Sequence, residues 1–248
     1  ARAVQEQGGT VLWFDVEATF DPRWATLTGV DVSPEKLLVA RPDSMEQTFD
    51  MVGDALLTVE PDLIVIDSVT AMVPGDVMGA AMTERDFRGL DARKMTQGVK
   101  KLTQQNKRSR TALMFINQLR TDLSITYGGN PESIPGGRAL RHHVSLMIRT
   151  RRGAWLTDAD TGDELSLDST KDARRVGFML RLRVEKSKVG SPWQETEVRS
   201  YFNGSVDPLG SLVHLAIKRG LIVPGAGGYY TVPGVTHKLH GLPQVEDV

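Results

Sequence analysis

The sequence predicts an α/β fold with a mostly parallel central sheet flanked by helices, followed by a small α+β unit near the C-terminal end. Short apolar runs that are typical of buried strands alternate with longer segments of helical periodicity. The run at 61–69 is apolar on both faces, as expected of a strand in a parallel sheet covered by helices. Hydrophobic residues make up 40% of the 248 residues, which supplies enough apolar surface for a sizeable core.

Alternating strands and helices account for the first part of the chain. Residues 1–7 have the character of a helix end, because a pair of glycines follows as a stop signal. The helix at 43–60 has apolar residues near helical spacing, and Asp43 or Ser44 can cap its first turn. In this part we predict strands at 10–17, 36–42, 61–69 and 111–118, and helices at 43–60 and 89–109.

After the fourth strand the pattern changes. The segment 121–137 has no periodicity and is rich in Gly, Pro, Ser and Thr, which indicates a loop. The acidic segment 157–173 indicates a hairpin tip or a mobile excursion. Further elements are predicted as strands at 142–152 and 175–187, a helix at 209–220 and a β-hairpin at 221–234. We therefore expect a core over residues 1–205 and a small C-terminal domain, truncated or reduced, over residues 206–248.

Composition limits the classes of function. The net charge is −1, so binding of nucleic acid would have to depend on local basic patches. The absence of cysteine excludes a disulfide framework and thiolate chemistry, and it suits a cytoplasmic protein. No apolar run approaches the length of a membrane span. His142 and His143, and likewise His237 and His240, lack a third ligand at a recognisable spacing, so a histidine metal site is not expected.

Polar side chains stand at the ends of three predicted strands. Glu17 and Asp67 end the first and third strands, and Asn117 and Gln118 end the fourth. Ligands bind at the carboxyl edge of open α/β sheets, where these ends meet. A carboxylate there can organise a nucleotide-bound Mg²⁺ or hold an attacking water, and an amide can sense a γ-phosphate. Taken alone, Asp67 favours a solvated strand end, and the two amides are also consistent with a loop-start cap; three such strand ends at one edge together favour a site.

The helix predicted at 89–109 combines an apolar stripe with a basic flank. Residues 88–110 include eight basic residues and one acidic residue, Asp91. Met95, Val99 and Leu102 form an apolar stripe at helical spacing. Arg93, Gln97 and Lys100 follow the same spacing on an adjacent polar face. Such a flank can follow a phosphate backbone, although a solvated charged helix face has the same appearance.

Six motifs together resemble those of a known family. The chain contains, in order, FDVEATFDPRW, LIVIDSV, GLDARKMTQGVKKL, MFINQLR, GGNPESIPGGRALR and VEKSKVGSPW. Their order and approximate spacing resemble the bacterial RecA recombinases and their phage relatives, over most of residues 1–220. The resemblance implies a RecA-like P-loop NTPase core that uses ATP and Mg²⁺.

The resemblance implies four catalytic residues. Glu17 would activate or position the attacking water, and Gln118 would sense the γ-phosphate. Lys186 and Lys188 would reach across a subunit interface to the neighbour's γ-phosphate, as an arginine finger does in trans.

The resemblance also implies the residues that bind the nucleotide. Asp67 would organise Mg²⁺ through water, with Ser68 beside it. Asp21 and Trp24 would bracket the adenine, Asp21 through the exocyclic amine and Trp24 by stacking.

On the DNA side, the resemblance implies two binding loops, at 74–89 and 119–138, beside the basic helix. Their contacts would fall on the phosphate backbone and on base stacking, so binding would be largely independent of sequence. The candidate DNA-binding residues are Arg88, Arg93, Thr96, Lys100, Arg120, Leu123, Gly136, Gly137 and Arg138.

One family motif, the phosphate loop G-x-x-x-x-G-K-[ST], is not found in this sequence. In the family this loop precedes the helix that we expect to end at residues 1–7. Either the given chain starts just after the loop, or the protein is a degenerate paralogue; retention of the site residues favours the first account.

The resemblance implies an ATP-dependent recombinase that forms a helical filament on single-stranded DNA and exchanges strands with a homologous duplex. It would act in DNA repair and the SOS response, in the cytoplasm and associated with the nucleoid, without a membrane. The alternatives are a non-catalytic accessory protein with the same fold, or a helicase motor.

Overall fold

The computed structural model describes residues 1–78, 89–121, 132–135, 137–157, 164–165 and 175–248. The chain divides into two compact units, residues 1–144 and 145–248. Within the described ranges, no helix is both long and apolar enough to cross a membrane.

The first unit is built on a parallel sheet of four strands in the order β2-β1-β3-β4. The strands are β1 (Val11–Asp15), β2 (Leu37–Ala40), β3 (Leu63–Asp67) and β4 (Ala112–Phe115). Phe14 of β1 lies opposite Ile66 of β3, which lies opposite Phe115 of β4, and Asp15 lies opposite Asp67. All four strands therefore end at one edge, and the predicted α/β fold class is confirmed.

Helices flank this sheet. Ser44 caps α3, as the sequence predicts, by accepting a hydrogen bond from the backbone N–H of Gln47 at 3.2 Å. The helices of the first unit are α1 (Arg2–Gln5), α2 (Pro22–Leu27), α3 (Met45–Thr58), α4 (Gly75–Met78), α5 (Leu90–Gln105) and α6 (Gly137–His143). A 3₁₀ turn at Val69–Ala71 follows β3, and β5 (Arg120–Thr121) pairs with β6 (Glu132–Ser133).

The main core lies between the sheet and the pair α3 and α5. The predicted apolar stripe of α5 is buried at all three positions, Met95, Val99 and Leu102. Gly98 of the same helix faces Phe49 of α3 so closely that a β-carbon there would overlap the phenyl ring. The two helices thus pack at a distance that only glycine permits at this position.

The second unit contains an antiparallel sheet in the order β11-β10-β9-β7-β8. Its strands are β7 (Leu146–Thr157), β8 (Glu164–Leu165), β9 (Arg175–Ser187), β10 (Glu195–Tyr201) and β11 (Val206–Asp207). After it come α7 (Pro208–Lys218), a small sheet of β12 (Val223–Pro224), β13 (Tyr229–Thr231) and β14 (Leu239–His240), a 3₁₀ turn at Ala226–Gly228 and α8 (Gly241–Glu246).

Two sequence predictions concern the chain around this unit: the start of the strand at residue 142 and the domain division after residue 205. The prediction of a strand from residue 142 is wrong at its start, because His142 and His143 end α6 and the strand begins at Leu146. The division at residues 205 and 206 stays a prediction. β11 lies just beyond it and pairs with β10 of the larger sheet.

Candidate functional site

Three polar side chains meet at the carboxyl edge of the parallel sheet. The Ser68 hydroxyl donates a hydrogen bond to Oε1 of Glu17, and Nε2 of Gln118 donates to the same oxygen at 3.4 Å. The backbone N–H of Glu17 donates to the carbonyl oxygen of Asp67 at 3.3 Å, which ties the end of β1 to the end of β3. The structure therefore brings together four of the residues that the sequence predicts for one site.

Asn117 stabilises this arrangement through hydrogen bonds to its neighbours. Its Oδ1 accepts hydrogen bonds from the Thr70 hydroxyl at 2.9 Å and from the backbone N–H of Gln118 at 3.0 Å. Its Nδ2 donates to the carbonyl oxygen of Pro135 at 2.9 Å. Asn117 thus links the end of β4 to the chain that returns after β6, and it holds the backbone from which the Gln118 side chain extends.

Asp67 carries a carboxylate in an unfavourable environment. Burial raises its pKa, and the nearby charges of Glu17 and Asp15 raise it further. Among the described residues, no hydrogen-bond donor contacts this carboxylate, and no group of three or more His, Asp or Glu side chains could hold a metal ion. A single carboxylate of this kind is a ligand that Mg²⁺ can use, because this ion commonly binds through one or two carboxylates and takes its other ligands from water and phosphate.

Asp15, to which the sequence analysis gave no role, is the most buried carboxylate at this edge. Only 1% of its surface is exposed. Its oxygens accept hydrogen bonds from the backbone N–H groups of Thr19 at 2.9 Å and Phe20 at 3.1 Å, and from Nε of Arg41 at 3.0 Å. Asp15 thereby closes the turn that carries Glu17.

Asp21 and Trp24 lie on the short helix α2. Oδ1 of Asp21 caps the helix by accepting from the backbone N–H of Arg23 at 2.8 Å and of Trp24 at 3.4 Å. Trp24 is 46% exposed. An exposed indole can stack on a purine, whereas one oxygen of Asp21 is already engaged by the helix end.

The basic flank of α5 is exposed. Arg93, Thr96 and Lys100 all face solvent, although the Thr96 hydroxyl also donates to the carbonyl oxygen of Ala92 at 2.6 Å. Arg93 and Lys100 have no ion-pair partner within the described residues. The charged groups that a phosphate backbone could contact are therefore accessible on this helix.

Comparison with known proteins places the chain in a family. Residues 1–207 match the RecA N-terminal domain family. The chain belongs to the RecA family. It is 36% identical to Protein RecA of Thermus thermophilus over 227 residues, which is 92% of this chain and 62% of that protein.

Other bacterial RecA proteins give similar values. The identity to Protein RecA of Aquifex aeolicus is 34% over 225 residues, 91% of this chain and 60% of that protein. The identity to Protein RecA of Levilactobacillus brevis is 33% over 229 residues, 92% of this chain and 56% of that protein. The chain therefore spans less than two thirds of the length of these relatives.

Only some of the remaining predicted DNA-binding residues lie in the part of the chain that the structure describes. Arg120 is exposed in β5, and Gly137 and Arg138 form the start of α6. Arg88, Leu123 and Gly136 lie outside the described residues, as do most residues of the two predicted loops.

Lys186 and Lys188 lie at the end of β9, in the second unit. Lys186 is opposite Met147 of β7, and the backbone N–H of Lys188 donates to the carbonyl oxygen of Ser145 at 2.8 Å. Their backbone is thus held by the sheet, while the Lys188 side chain is exposed.

A cluster of arginines in the second unit of this RecA-family chain was not predicted from the sequence. On the paired strands β7 and β9, Arg149 lies opposite Arg183 and Arg151 lies opposite Arg181. Side chains that lie opposite each other share one face of the sheet, so four guanidinium groups are brought together. Carboxylates of β9 and β10 pair with three of the four, as Arg149–Glu185, Arg181–Glu197 and Arg183–Glu195, and the Arg149 side chain is only 16% exposed. The signal in the sequence is arginine at alternate positions of two strands that pair.

Proposed function

We propose that the protein is an ATP-dependent DNA recombinase. It forms a helical filament on single-stranded DNA, hydrolyses ATP at subunit interfaces when DNA is bound, and exchanges strands with a homologous duplex. The observation that carries the proposal is the hydrogen-bonded group of Glu17, Ser68 and Gln118 beside Asp67 at the edge of the parallel sheet. Membership of the RecA family supports it.

Glu17 is suited to hold the attacking water. Both of its neighbours donate to Oε1, and within the described residues no donor reaches Oε2. The second oxygen is therefore available to accept a hydrogen bond from water and to take its proton as the phosphoryl group is attacked.

Gln118 is suited to sense the γ-phosphate. Its bond to Glu17 is long, at 3.4 Å, and the side chain is exposed. A phosphate oxygen is a stronger acceptor, because it is charged. We expect the amide to turn from Glu17 to the phosphate when ATP binds, which would transmit the state of the nucleotide through Asn117 to the chain beyond β5.

Asp67 would hold Mg²⁺ through water, with Ser68 beside it. The ion would neutralise charge on the phosphates and on the Asp67 carboxylate, whose pKa is raised by burial, Glu17 and Asp15. Trp24 and Asp21 would bind the adenine. Lys186 and Lys188 of a neighbouring subunit would complete the site by offsetting charge on the γ-phosphate.

On the DNA side, the exposed flank of α5 and Arg120 would bind the phosphates of the first strand. The exposed arginines of β7 and β9, Arg151, Arg181 and Arg183, would contact the phosphates of a second strand, in competition with the glutamates that pair with Arg181 and Arg183. Contacts to phosphates carry no sequence information, so pairing between the strands themselves would supply it.

A mixing experiment tests the shared site. Glu17→Gln and Lys186→Ala should each abolish ATP turnover by the full-length protein, because each removes one half of every interface site. In a one-to-one mixture, an interface is intact where Glu17 comes from the Lys186→Ala subunit and Lys186 from the Glu17→Gln subunit. Random assembly then restores about a quarter of wild-type turnover.

The matched control mixes Lys186→Ala with the double variant Glu17→Gln/Lys186→Ala, which supplies no intact Lys186. Glu35→Gln and Lys238→Ala alter exposed residues of the same types and should leave turnover unchanged. No recovery in the first mixture would contradict a site shared between subunits. No turnover by the wild-type protein would instead indicate an accessory protein.

A further inference from the structure

Lys94 of α5 joins two carboxylates from different elements. Its Nζ donates to Oε1 of Glu46 in the first turn of α3 and to Oδ2 of Asp76 in α4. Lys94 is only 20% exposed, whereas Asp76 is 66% exposed. The Glu46 side chain is 40% exposed, so exposure increases from Lys94 through Glu46 to Asp76.

The Glu46 carboxylate also binds the backbone of α4. Oε2 of Glu46 accepts a hydrogen bond from the N–H of Gly75, the first residue of α4, at 2.9 Å. The backbone N–H of Met45 donates to the carbonyl oxygen of Val73 at 2.8 Å. The four-residue helix α4, too short to be stable alone, is therefore attached to α3 and α5 by side chains and backbone together.

The location of this bridge connects it with DNA. α4 belongs to the segment 74–89, which the family resemblance implies is a DNA-binding loop, and it ends at Met78, where the described residues stop. On α5, Lys94 directly follows Arg93, the first residue of the exposed basic flank. The bridge thus joins the start of one proposed DNA-binding element to the start of another.

We propose that Lys94 is a positioning residue for DNA binding: its bridge to Glu46 and Asp76 fixes α4 beside the basic flank of α5. This inference rests on the proposed function, since it assumes that both elements bind DNA. Lys94 itself does not contact DNA in this account. It acts through Asp76 and Glu46.

The protonation states agree with a bridge that persists at neutral pH. Hydrogen bonds to Asp76 and then to Glu46 raise the pKa of Lys94. Burial by itself would raise the pKa of Glu46, but the hydrogen bonds from Lys94 and Gly75 outweigh it, and the pKa is lowered. Both partners are therefore charged across the physiological range.

The variant Asp76→Asn separates positioning from simple charge. Removing an acidic residue near a polyanion should strengthen DNA binding if only net charge matters. If Asp76 anchors α4, the same change should weaken binding, by roughly two- to fivefold for the loss of an exposed ion pair. The two accounts predict opposite signs, and Asp76 is exposed enough for the variant to fold.

Lys101→Met is the matched control for Lys94→Met. Lys101 lies two turns further along α5 and also pairs with a carboxylate of α3, Asp50, at 2.7 Å. Both variants remove one positive charge and one ion pair with α3, but only Lys94 reaches α4. Lys94→Met should therefore weaken binding more than Lys101→Met does.

The experiment measures the affinity of the full-length protein for a fluorescently labelled oligothymidylate, together with hydrogen exchange at residues 75–78. The inference predicts weaker binding and faster exchange than wild type in Asp76→Asn and Lys94→Met. In Lys101→Met, exchange at residues 75–78 should stay at the wild-type rate. Binding by Asp76→Asn that equals or exceeds wild type would overturn it. If the wild-type protein does not bind the oligonucleotide, the proposed function fails, and exchange still reports whether the bridge anchors α4.

Discussion

Asp67 is a residue whose charge works against folding. Its pKa is raised by burial, and by Glu17 and Asp15, so ionising it costs free energy in the folded protein. Below the unfolded pKa of about 3.9 the group is protonated in both states and the cost is absent. As the pH rises through the pKa of the folded state, ionisation lowers the free energy of unfolding, and at neutral pH the full reduction is present.

We therefore expect Asp67→Asn to raise the melting temperature of the nucleotide-free protein at pH 7. The gain should disappear as the pH falls to about 3, below both pKa values. Thermal unfolding over this pH range is the measurement, with Asp43→Asn as the control for an exposed carboxylate. Mg²⁺ with ATP should stabilise the wild type but not the variant. A variant less stable than wild type at pH 7 would show that the carboxylate has a partner that supports the fold.

Glu17, Asp67 and Gln118 could be predicted to meet at the sheet edge, because strands of a parallel sheet deliver their ends to one side, whereas Ser68 was implied only by the family resemblance. Asp15 could not be assigned in the same way. It stands two positions before Glu17 and looks like another strand-end carboxylate. Its role depends on the turn that follows, where the N–H groups of Thr19 and Phe20 donate to it, and on Arg41, which directly follows β2.

Helix α5 shows what periodicity predicts and what it leaves open. The spacing of Met95, Val99 and Leu102 predicted the buried side, and the structure confirms it. The basic residues of the helix divide further: Lys94 and Lys101 pair with carboxylates of neighbouring helices, while Arg93 and Lys100 remain exposed. That division depends on where the carboxylates of α3 and α4 lie, which one helix alone cannot predict.

Gly98 gives a test of the contact between α3 and α5. In an ordinary helix, Gly→Ala stabilises by about 1 kcal/mol. Here the added methyl group would overlap the Phe49 ring, so we expect Gly98→Ala to destabilise the protein by about 1–3 kcal/mol. Urea unfolding measures the difference. A stabilised variant would mean that the helices are further apart than described.

α6 illustrates a prediction that failed for a local reason. The residues around His142 and His143 are followed by the apolar and basic alternation of β7, and the strand was predicted to start too early. The last turn of the helix carries Arg141, whose positive charge is favourable at a helix C-terminus. Ala139 and Leu140 of this short helix are buried, a packing feature that alternation does not reveal.

The chain combines a parallel α/β unit and an antiparallel unit, and the RecA N-terminal domain match covers residues 1–207. Most of this architecture followed from alternating strand and helix patterns and from six motifs. The paired arginines of β7 and β9 did not, because their approach depends on the register between strands that the sequence leaves free.

The central claim is that ATP hydrolysis by the assembled protein depends on single-stranded DNA. Steady-state ATP turnover by the full-length protein, measured with and without single-stranded DNA, tests it most directly. The account predicts strong stimulation by DNA, and loss of the stimulated rate in Glu17→Gln but not in Glu35→Gln. Turnover that is the same with and without DNA would contradict the account.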